Sequence, residues 1–327
     1  MEPLTIDREL FEYDHGLDES EFFDGTESDD SELENDEIAV TDDLEWSEDE
    51  LQYSIIVSPT SPGDDRFRIP ARTKKPSTLF FPFNTICLLE RHSLKGGVTR
   101  VTGTLIAPQV VLTARHCLTT PTGGKRFSKI VVSPGADLSA ANAKHRRPAG
   151  PSSINATHSR FRVDSKLDYG VILLPKPFKT PSRFMMLQPR SDAGTATLLT
   201  IAGYPCDKPR GTMWGHSGKI PLTSVSTTHL RYTIDTCPGH SGSPIWLLGN
   251  NSIRLLLGIH TSGPAGCDND PEGTRCLPTA APVTPVPGQN RGVRVTCNVI
   301  NNILKWCKEF GVRGPAIDNA AYQRRCK

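Results

Sequence analysis

A short turn around Ser241 has the residue types of a nucleophilic site. It reads Gly239-His240-Ser241-Gly242 and lies in an otherwise apolar neighbourhood. Glycines beside a serine let the backbone approach a substrate closely, because glycine has no Cβ. The amides of Gly239 and Ser241 can then point at one place, as a developing oxyanion requires. Taken alone, the pattern also fits a polar turn between two strands, since short motifs match by chance.

Two further motifs supply the partners that a nucleophilic serine requires. His116 follows a strand-like run, and Asp168 comes just before an apolar run over residues 171–174. A serine becomes nucleophilic beside a base, and the base needs a carboxylate that fixes its tautomer. Each residue alone could be structural, His116 as a buried histidine and Asp168 as a turn carboxylate. Together with Ser241, in this chain order, they predict a catalytic triad.

The sequence around these residues closely resembles the trypsin-fold serine proteases. Further motifs narrow the resemblance to the bacterial glutamyl endopeptidases of that fold, and they span residues 102–108, 203–205, 207–209, 212–214, 217–220 and 258–260. The resemblance covers residues 55–311. It implies an all-β fold of two six-stranded antiparallel barrels with a C-terminal helix. It also implies a serine endopeptidase that works without a cofactor.

Four residues carry the predicted substrate specificity. Asp235 stands where the trypsin pattern has its pocket-base carboxylate, which implies cleavage after Lys or Arg. Thr236 and His260 match the pair that binds a substrate glutamate in the resembling branch, although His260 alone could be a core histidine. Arg294 falls on the strand that backs the pocket, where it could pair with Asp235 or with the substrate carboxylate. We expect a preference for Glu, then Asp, with cleavage after Lys or Arg as the alternative.

The chain contains nine cysteines, so at least one is unpaired or bonded to another molecule. This number points to an oxidising compartment. The resemblance implies a disulfide between Cys237 and Cys267 beside the pocket, with a Cys267–Cys276 bridge as the competitor. It also suggests a bridge between Cys87 and Cys117, next to the catalytic histidine. Four cysteines remain unassigned: Cys206, Cys297, Cys307 and Cys326.

The charge divides between an acidic N-terminus and a basic body. Residues 1–50 contain 22 acidic residues and one arginine, a net charge of −21, and the remainder carries +22. The low apolar content of residues 1–54 predicts a disordered segment, either a solvated tail or a pro-segment. The resemblance favours a pro-segment that inhibits the body and is cleaved between Asp49 and Ile56. His240 stands where trypsin has an aspartate that pairs with its new N-terminus, which implies that this activation switch is missing.

Short apolar runs separated by proline and glycine, without long helical periodicity, predict all-β structure as far as residue 174. The resemblance implies a protease domain over residues 55–311. Residues 58–79, 134–160 and 263–291 are expected to be loops. Apolar residues spaced along 298–307 predict an amphipathic helix. The basic tail over residues 312–327 has no predicted structure.

Composition narrows the classes of partner. The ligand spacing of a zinc site is absent, and no aromatic-basic interleaving supports nucleic-acid binding. No apolar run is long enough for a membrane span, and no secretory signal follows Met1. The resemblance nevertheless implies an extracellular, monomeric enzyme acting on proteins or peptides, which the basic body suggests are acidic. The alternative class is a non-catalytic binding module that retains the protease fold.

Overall fold

The computed structural model describes residues 64–71, 77–94, 96–120, 124, 127–139, 153–189, 197–220, 226–249, 253–263 and 290–326. All of them belong to the second of two units into which the chain divides, residues 42–327. The predicted boundary at residues 54–55, the predicted processing site and residues 264–289 of the expected 263–291 loop lie outside the described residues. The last two residues of that expected loop, Asn290 and Arg291, instead begin a strand. The first described strand is β1 (Phe67–Ile69).

An antiparallel sheet of seven strands positions the histidine and the aspartate. Its strands are β2 (Ile86–Ser93), β3 (Val98–Ala107), β4 (Val110–Thr113), β5 (Phe127–Pro134), β6 (Ile154–Ala156), β7 (Phe161–Val163) and β8 (Gly170–Leu173). They lie side by side in the order β6-β5-β2-β3-β4-β8-β7. His116 follows β4 and Asp168 precedes β8, and Thr113 pairs with Gly170 in this antiparallel register. The pairing therefore brings both side chains to the same end of the sheet.

A second sheet of eight strands positions the serine. It contains β1 and β9 (Met186–Leu187), β10 (Thr197–Gly203), β11 (Met213–Ile220), β12 (His229–Tyr232), β13 (Pro244–Leu248), β14 (Arg254–Ser262) and β15 (Asn290–Arg294). Seven of these lie in the order β1-β11-β10-β13-β14-β15-β12, and β9 pairs with β14 in parallel. The Ser241 turn comes just before β13, and His260 lies within β14.

Strand β2 of the first sheet is buried on both faces over residues 86–89. Cys87 and Leu89 of β2 pack into a cluster inside this sheet, whereas Ile86 and Leu88 pack into a central cluster shared with the second sheet. Because successive side chains of a strand point to opposite faces, one strand can serve both cores. A third cluster lies inside the second sheet, around Ile245. The first half of β2 is therefore a continuous apolar stretch rather than an alternation of polar and apolar residues.

A C-terminal helix, α1 (Cys297–Glu309), covers the central cluster. Thr296 caps it, because its side chain accepts a hydrogen bond from the Val299 amide. Val299, Ile300 and Ile303 are buried against the two sheets. The helix lies where the apolar spacing of residues 298–307 predicts it.

The two sheets and the C-terminal helix confirm the predicted all-β, two-barrel fold, but several local predictions were wrong. The sheets have seven and eight strands rather than six each. β1 and β6 lie within the expected loops 58–79 and 134–160, because three-residue strands show too little alternation to be recognised. The segment with no predicted structure forms a second helix, α2 (Asn319–Cys326), which a Cys297–Cys326 disulfide joins to α1.

Candidate active site

The Ser241 turn depends on two glycines that no other residue could replace without strain. Gly239 and Gly242 have φ angles of 98° and 88°, in the left-handed region that favours glycine. A Cβ on Gly239 would overlap the carbonyl oxygen of Tyr204, and one on Gly242 would overlap the carbonyl oxygen of Thr102. Glycine is therefore required at both positions by close backbone contacts as well as by the positive φ angle.

Thr102 of β3 ties the serine turn to the first sheet. Its amide donates to the Ser241 carbonyl oxygen at 3.1 Å, and its buried hydroxyl donates to the Gly239 carbonyl oxygen at 2.8 Å. The hydroxyl of Thr113 in turn donates to the Thr102 carbonyl oxygen at 2.8 Å. Sequence reasoning did not single out Thr102, whose one signal was its place in the motif over residues 102–108.

His116 and Asp168 are joined by two hydrogen bonds. The His116 Nδ1 atom lies 2.7 Å from Oδ2 of Asp168, and the His116 amide donates to Oδ1 at 3.0 Å. A carboxylate at Nδ1 favours the tautomer with the proton on Nδ1, which leaves Nε2 as the acceptor. The next residue, Cys117, has its sulfur 3.7 Å from the Ser241 carbonyl oxygen. The structure thus joins His116 to Asp168 and places Cys117, the residue after His116, against the backbone of the Ser241 turn, which belongs to the other sheet.

The charges at this site favour an ionised pair. Burial favours the neutral form of His116, but Cys117 and the Asp168 carboxylate outweigh it and raise the pKa of His116 above its ordinary value. For Asp168, burial favours the protonated form, but the hydrogen bond and the charge of His116 lower its pKa. Asp168 is therefore a carboxylate at neutral pH, and it stabilises the imidazolium that forms when His116 takes a proton.

A polar network holds the loop that carries Asp168. Asp164 accepts hydrogen bonds at Oδ1 from the amides of Lys166 and Leu167, at 2.8 and 2.7 Å. Asn302 of α1 donates to Asp164 Oδ2 at 3.1 Å and to the Tyr169 hydroxyl at 2.7 Å. The loop is therefore fixed by its own turn and by the C-terminal helix.

Two of the predicted specificity residues lie on neighbouring elements and are buried. The Thr236 hydroxyl donates to Oδ1 of Asn290 at 2.6 Å. The Nδ1 atom of His260 lies 2.5 Å from the Tyr232 hydroxyl oxygen. Burial, followed by the charges of His240 and His116, lowers the pKa of His260 well below its ordinary value, so His260 is neutral. If Tyr232 donates to Nδ1, the Nε2 atom carries the proton and is a donor.

The other two specificity residues have contacts elsewhere. Asp235 Oδ2 accepts a hydrogen bond from the Asp65 amide at 2.8 Å and lies 3.6 Å from Nδ1 of His216. Arg294 donates from Nη1 to the Ser226 carbonyl oxygen at 2.9 Å. These contacts orient Asp235 towards the segment before β1.

The cysteine predictions have mixed outcomes. Cys87 and Cys117 are both buried free thiols, so the suggested bridge between them is wrong. Their sulfurs instead donate to backbone oxygens, Cys87 to Thr85 and Cys117 to Ser241. Cys237 is buried beside the pocket, but its predicted partner Cys267 and the competitor Cys276 lie outside the described residues.

Comparison with known proteins identifies the family of the chain. The profile of the Trypsin family matches residues 91–281, which is more than half of the chain. The chain belongs to the trypsin family. Its fold is that of a trypsin-like serine protease, as the resemblance implied.

Two relatives of this trypsin-like protease come from Bacillus species. The glutamyl endopeptidase of Bacillus licheniformis is 28% identical over 72% of this chain and 66% of its own length. The extracellular metalloprotease of Bacillus subtilis is 29% identical over 73% of this chain and 68% of its own length. The solved structure of a Glu endopeptidase in complex with MPD is 25% identical, with a TM-score of 0.53 over 76% of this chain and 98% of that one. The match thus spans about two thirds of each Bacillus relative.

Two further findings concern the described part of the protease. Within it, no three or more histidine, cysteine, aspartate or glutamate side chains are grouped so that they could hold a metal ion. None of its helices is both long and apolar enough to cross a membrane.

Proposed function

We propose that this protease hydrolyses peptide bonds with Ser241 as the nucleophile. His116 takes the proton of the Ser241 hydroxyl and later gives it to the leaving amine, and Asp168 holds the imidazole in the required tautomer. The observation that carries the proposal is the pair of hydrogen bonds from His116 to Asp168, on a loop that contacts the Ser241 carbonyl through Cys117.

The backbone of the turn supports an oxyanion hole at Gly239 and Ser241. The Pro238 carbonyl oxygen accepts a hydrogen bond from the Cys206 amide at 2.8 Å. In a trans peptide the carbonyl and the following amide point in opposite directions, so the Gly239 N–H faces away from Cys206. We expect it to donate to the oxyanion, where loss of one such donor in a comparable site costs about 10²–10³ in kcat.

Labelling with a fluorophosphonate separates this proposal from a non-catalytic binding module. A nucleophilic serine beside a base forms a covalent adduct, whereas an idle serine does not. We expect an adduct on Ser241 in the protein that lacks its acidic segment. Absence of any adduct on Ser241 would favour the binding module.

We further propose that the pocket selects Glu, then Asp, at the residue before the cleaved bond. A neutral His260 with its proton on Nε2 can donate to a substrate carboxylate, and Thr236 lies on the adjoining segment. Asp235 already accepts the Asp65 amide, which weakens the case for Asp235 as a receptor for Lys or Arg.

A positively charged surface on β12 and β15 is evidence for acidic substrates. Arg231 and Arg291 are direct cross-strand partners on β12 and β15, and His229 lies two residues before Arg231. Like charges placed opposite each other are unfavourable unless an anion offsets them. Asp168 exerts a Coulomb effect on His229, so this face lies within electrostatic reach of the triad residues. We propose that it attracts acidic residues of protein or peptide substrates.

The pH dependence should follow His116, which must be neutral to accept a proton. Because the pKa of His116 is raised, the acid limb of kcat/KM is expected above pH ~6.5, the ordinary histidine value. Asp168→Asn should move this limb to lower pH and cut kcat about 10⁴-fold. An acid limb at or below the ordinary value in the unaltered protease would contradict the raised pKa.

We propose that residues 1–54 form an inhibitory pro-segment. Full-length chain that resists cleavage between Asp49 and Ile56 is expected to be less active than chain beginning at Ile55. The segment, at −21 in residues 1–50, should inhibit the +22 body when added separately. Inhibition should weaken as salt rises, because charges are screened over ~10 Å at 0.1 M. Equal activity of the two chains would instead indicate a dispensable tail.

We propose that the enzyme acts outside the cell. One relative is named an extracellular protease, and the cysteine content suits an oxidising compartment.

A further inference from the structure

A buried ion cluster joins the segment before β1 to the loop over residues 204–208. Arg66, whose side chain is fully buried, donates from Nε and Nη2 to Asp64 at 2.8 and 2.9 Å. The same guanidinium donates to both carboxylate oxygens of Asp207, from Nη1 at 2.9 Å and from Nη2. Lys208 completes the cluster, with Nζ 2.6 Å from Asp64 Oδ2 and 4.4 Å from the Trp214 ring centroid.

This loop lies directly behind the proposed oxyanion donors. The amide of Cys206, next to Asp207, holds the Pro238 carbonyl oxygen and so sets the direction of the Gly239 amide. The Tyr204 carbonyl oxygen occupies the space that a Cβ on Gly239 would need. A shift of the 204–208 loop would therefore turn the Pro238–Gly239 peptide.

The segment before β1, which carries Asp64 and Arg66, also contacts the chain that leads into the Ser241 turn. The Asp65 amide donates to Asp235 Oδ2, six residues before Ser241. Within the turn, His240 is buried, and burial followed by the charge of Arg66 lowers the pKa of His240 to about 3. A neutral His240 forms no salt bridge, whereas the Arg66 cluster places fixed charges close to the turn.

We infer that Arg66 is a positioning residue that fixes the Gly239 oxyanion donor through Asp207 and the 204–208 loop. This inference rests on the proposed function of the turn. A buried ion pair is costly to desolvate and can be neutral for stability, but it holds its partners in one arrangement. Residues 64–66 lie beyond the predicted cleavage region, so they remain in the chain after removal of the acidic segment.

Two variants test the inference without leaving the charge of Arg66 buried alone. One replaces the central charges together, Asp64→Asn with Arg66→Met and Asp207→Asn, and the milder one is Asp207→Asn. Both are measured as chain beginning at Ile55, with circular dichroism to verify folding. We expect kcat to fall about 100-fold, the effect of a displaced catalytic group, with KM nearly unchanged. Affinity for a peptide aldehyde, whose tetrahedral adduct needs the oxyanion donors, should fall in parallel.

Arg68→Met is the matched control. Arg68 lies on β1, is partly exposed and pairs with Asp137 at 3.2 Å, so its loss should leave kcat and aldehyde affinity unchanged. If either of the two cluster variants folds and keeps the kcat and the aldehyde affinity of the unaltered protease, the inference is overturned. If the unaltered protease itself gives no fluorophosphonate adduct on Ser241, the proposed function fails, which is a distinguishable result.

Discussion

Replacing Ser241 with alanine is expected to abolish peptidase activity while leaving the fold intact. Loss of the nucleophile in a triad protease lowers kcat by about 10⁶-fold, because the covalent route is removed. The fold should survive, because the contacts of residue 241 that bind the turn are made by its backbone carbonyl, with Thr102 and Cys117. The measurement is turnover of a peptide substrate, with thermal unfolding as the check on structure.

Ser243→Ala is the control for this substitution. Ser243 lies two residues later in the same turn, and its buried hydroxyl has no hydrogen-bond partner among the described residues. Its removal should leave kcat near that of the unaltered protease. A Ser241→Ala protein that keeps more than a small fraction of activity would contradict the triad.

Replacing His260 with alanine is expected to remove the preference for Glu. A hydrogen bond to a charged group contributes about 1.5–3 kcal/mol, so kcat/KM for a Glu substrate should fall about 10- to 100-fold. On a matched substrate with Gln in place of Glu, the same substitution should lower kcat/KM much less, because this substrate lacks the charge that His260 recognises. Tyr232→Phe should weaken the same preference, since the Tyr232 hydroxyl fixes the tautomer of His260.

A peptide library profiles the residue before the cleaved bond. His92→Ala is the control, because His92 lies on β2 of the other sheet. Dominant cleavage after Arg or Lys in the unaltered protease would contradict the Glu preference and would assign the pocket to Asp235.

Local sequence patterns were enough to predict much of this protein. The apolar run of β2 and the spacing of α1 reflect burial on faces that repeat along the chain, and such periodicity is readable from residues alone. The residue types at His116 and Asp168 predicted a pair that the fold joins by hydrogen bonds. Glycine at positions 239 and 242 was informative because positive φ strongly favours that residue.

Other features depend on partners far apart in the chain. Thr102 and Gly239 are 137 residues apart, and Arg66 and Asp207 are 141 apart. A threonine in a strand, or an arginine just before one, has the same local pattern whether or not it meets such a partner. The sequence also could not reveal the contact between Asp235 and the Asp65 amide, because a backbone donor has no residue type.

The sequence by itself therefore determined the strand-rich class, the C-terminal helix and the residue types of the proposed triad. Only the tertiary structure decided that Cys87 and Cys117 stay reduced, that Cys297 bonds Cys326, and that the segment before β1 holds the serine turn. The physical reason is the distance along the chain over which each effect acts. Periodicity and glycine conformation act within a few residues, whereas disulfides, buried ion pairs and backbone contacts depend on where distant segments meet.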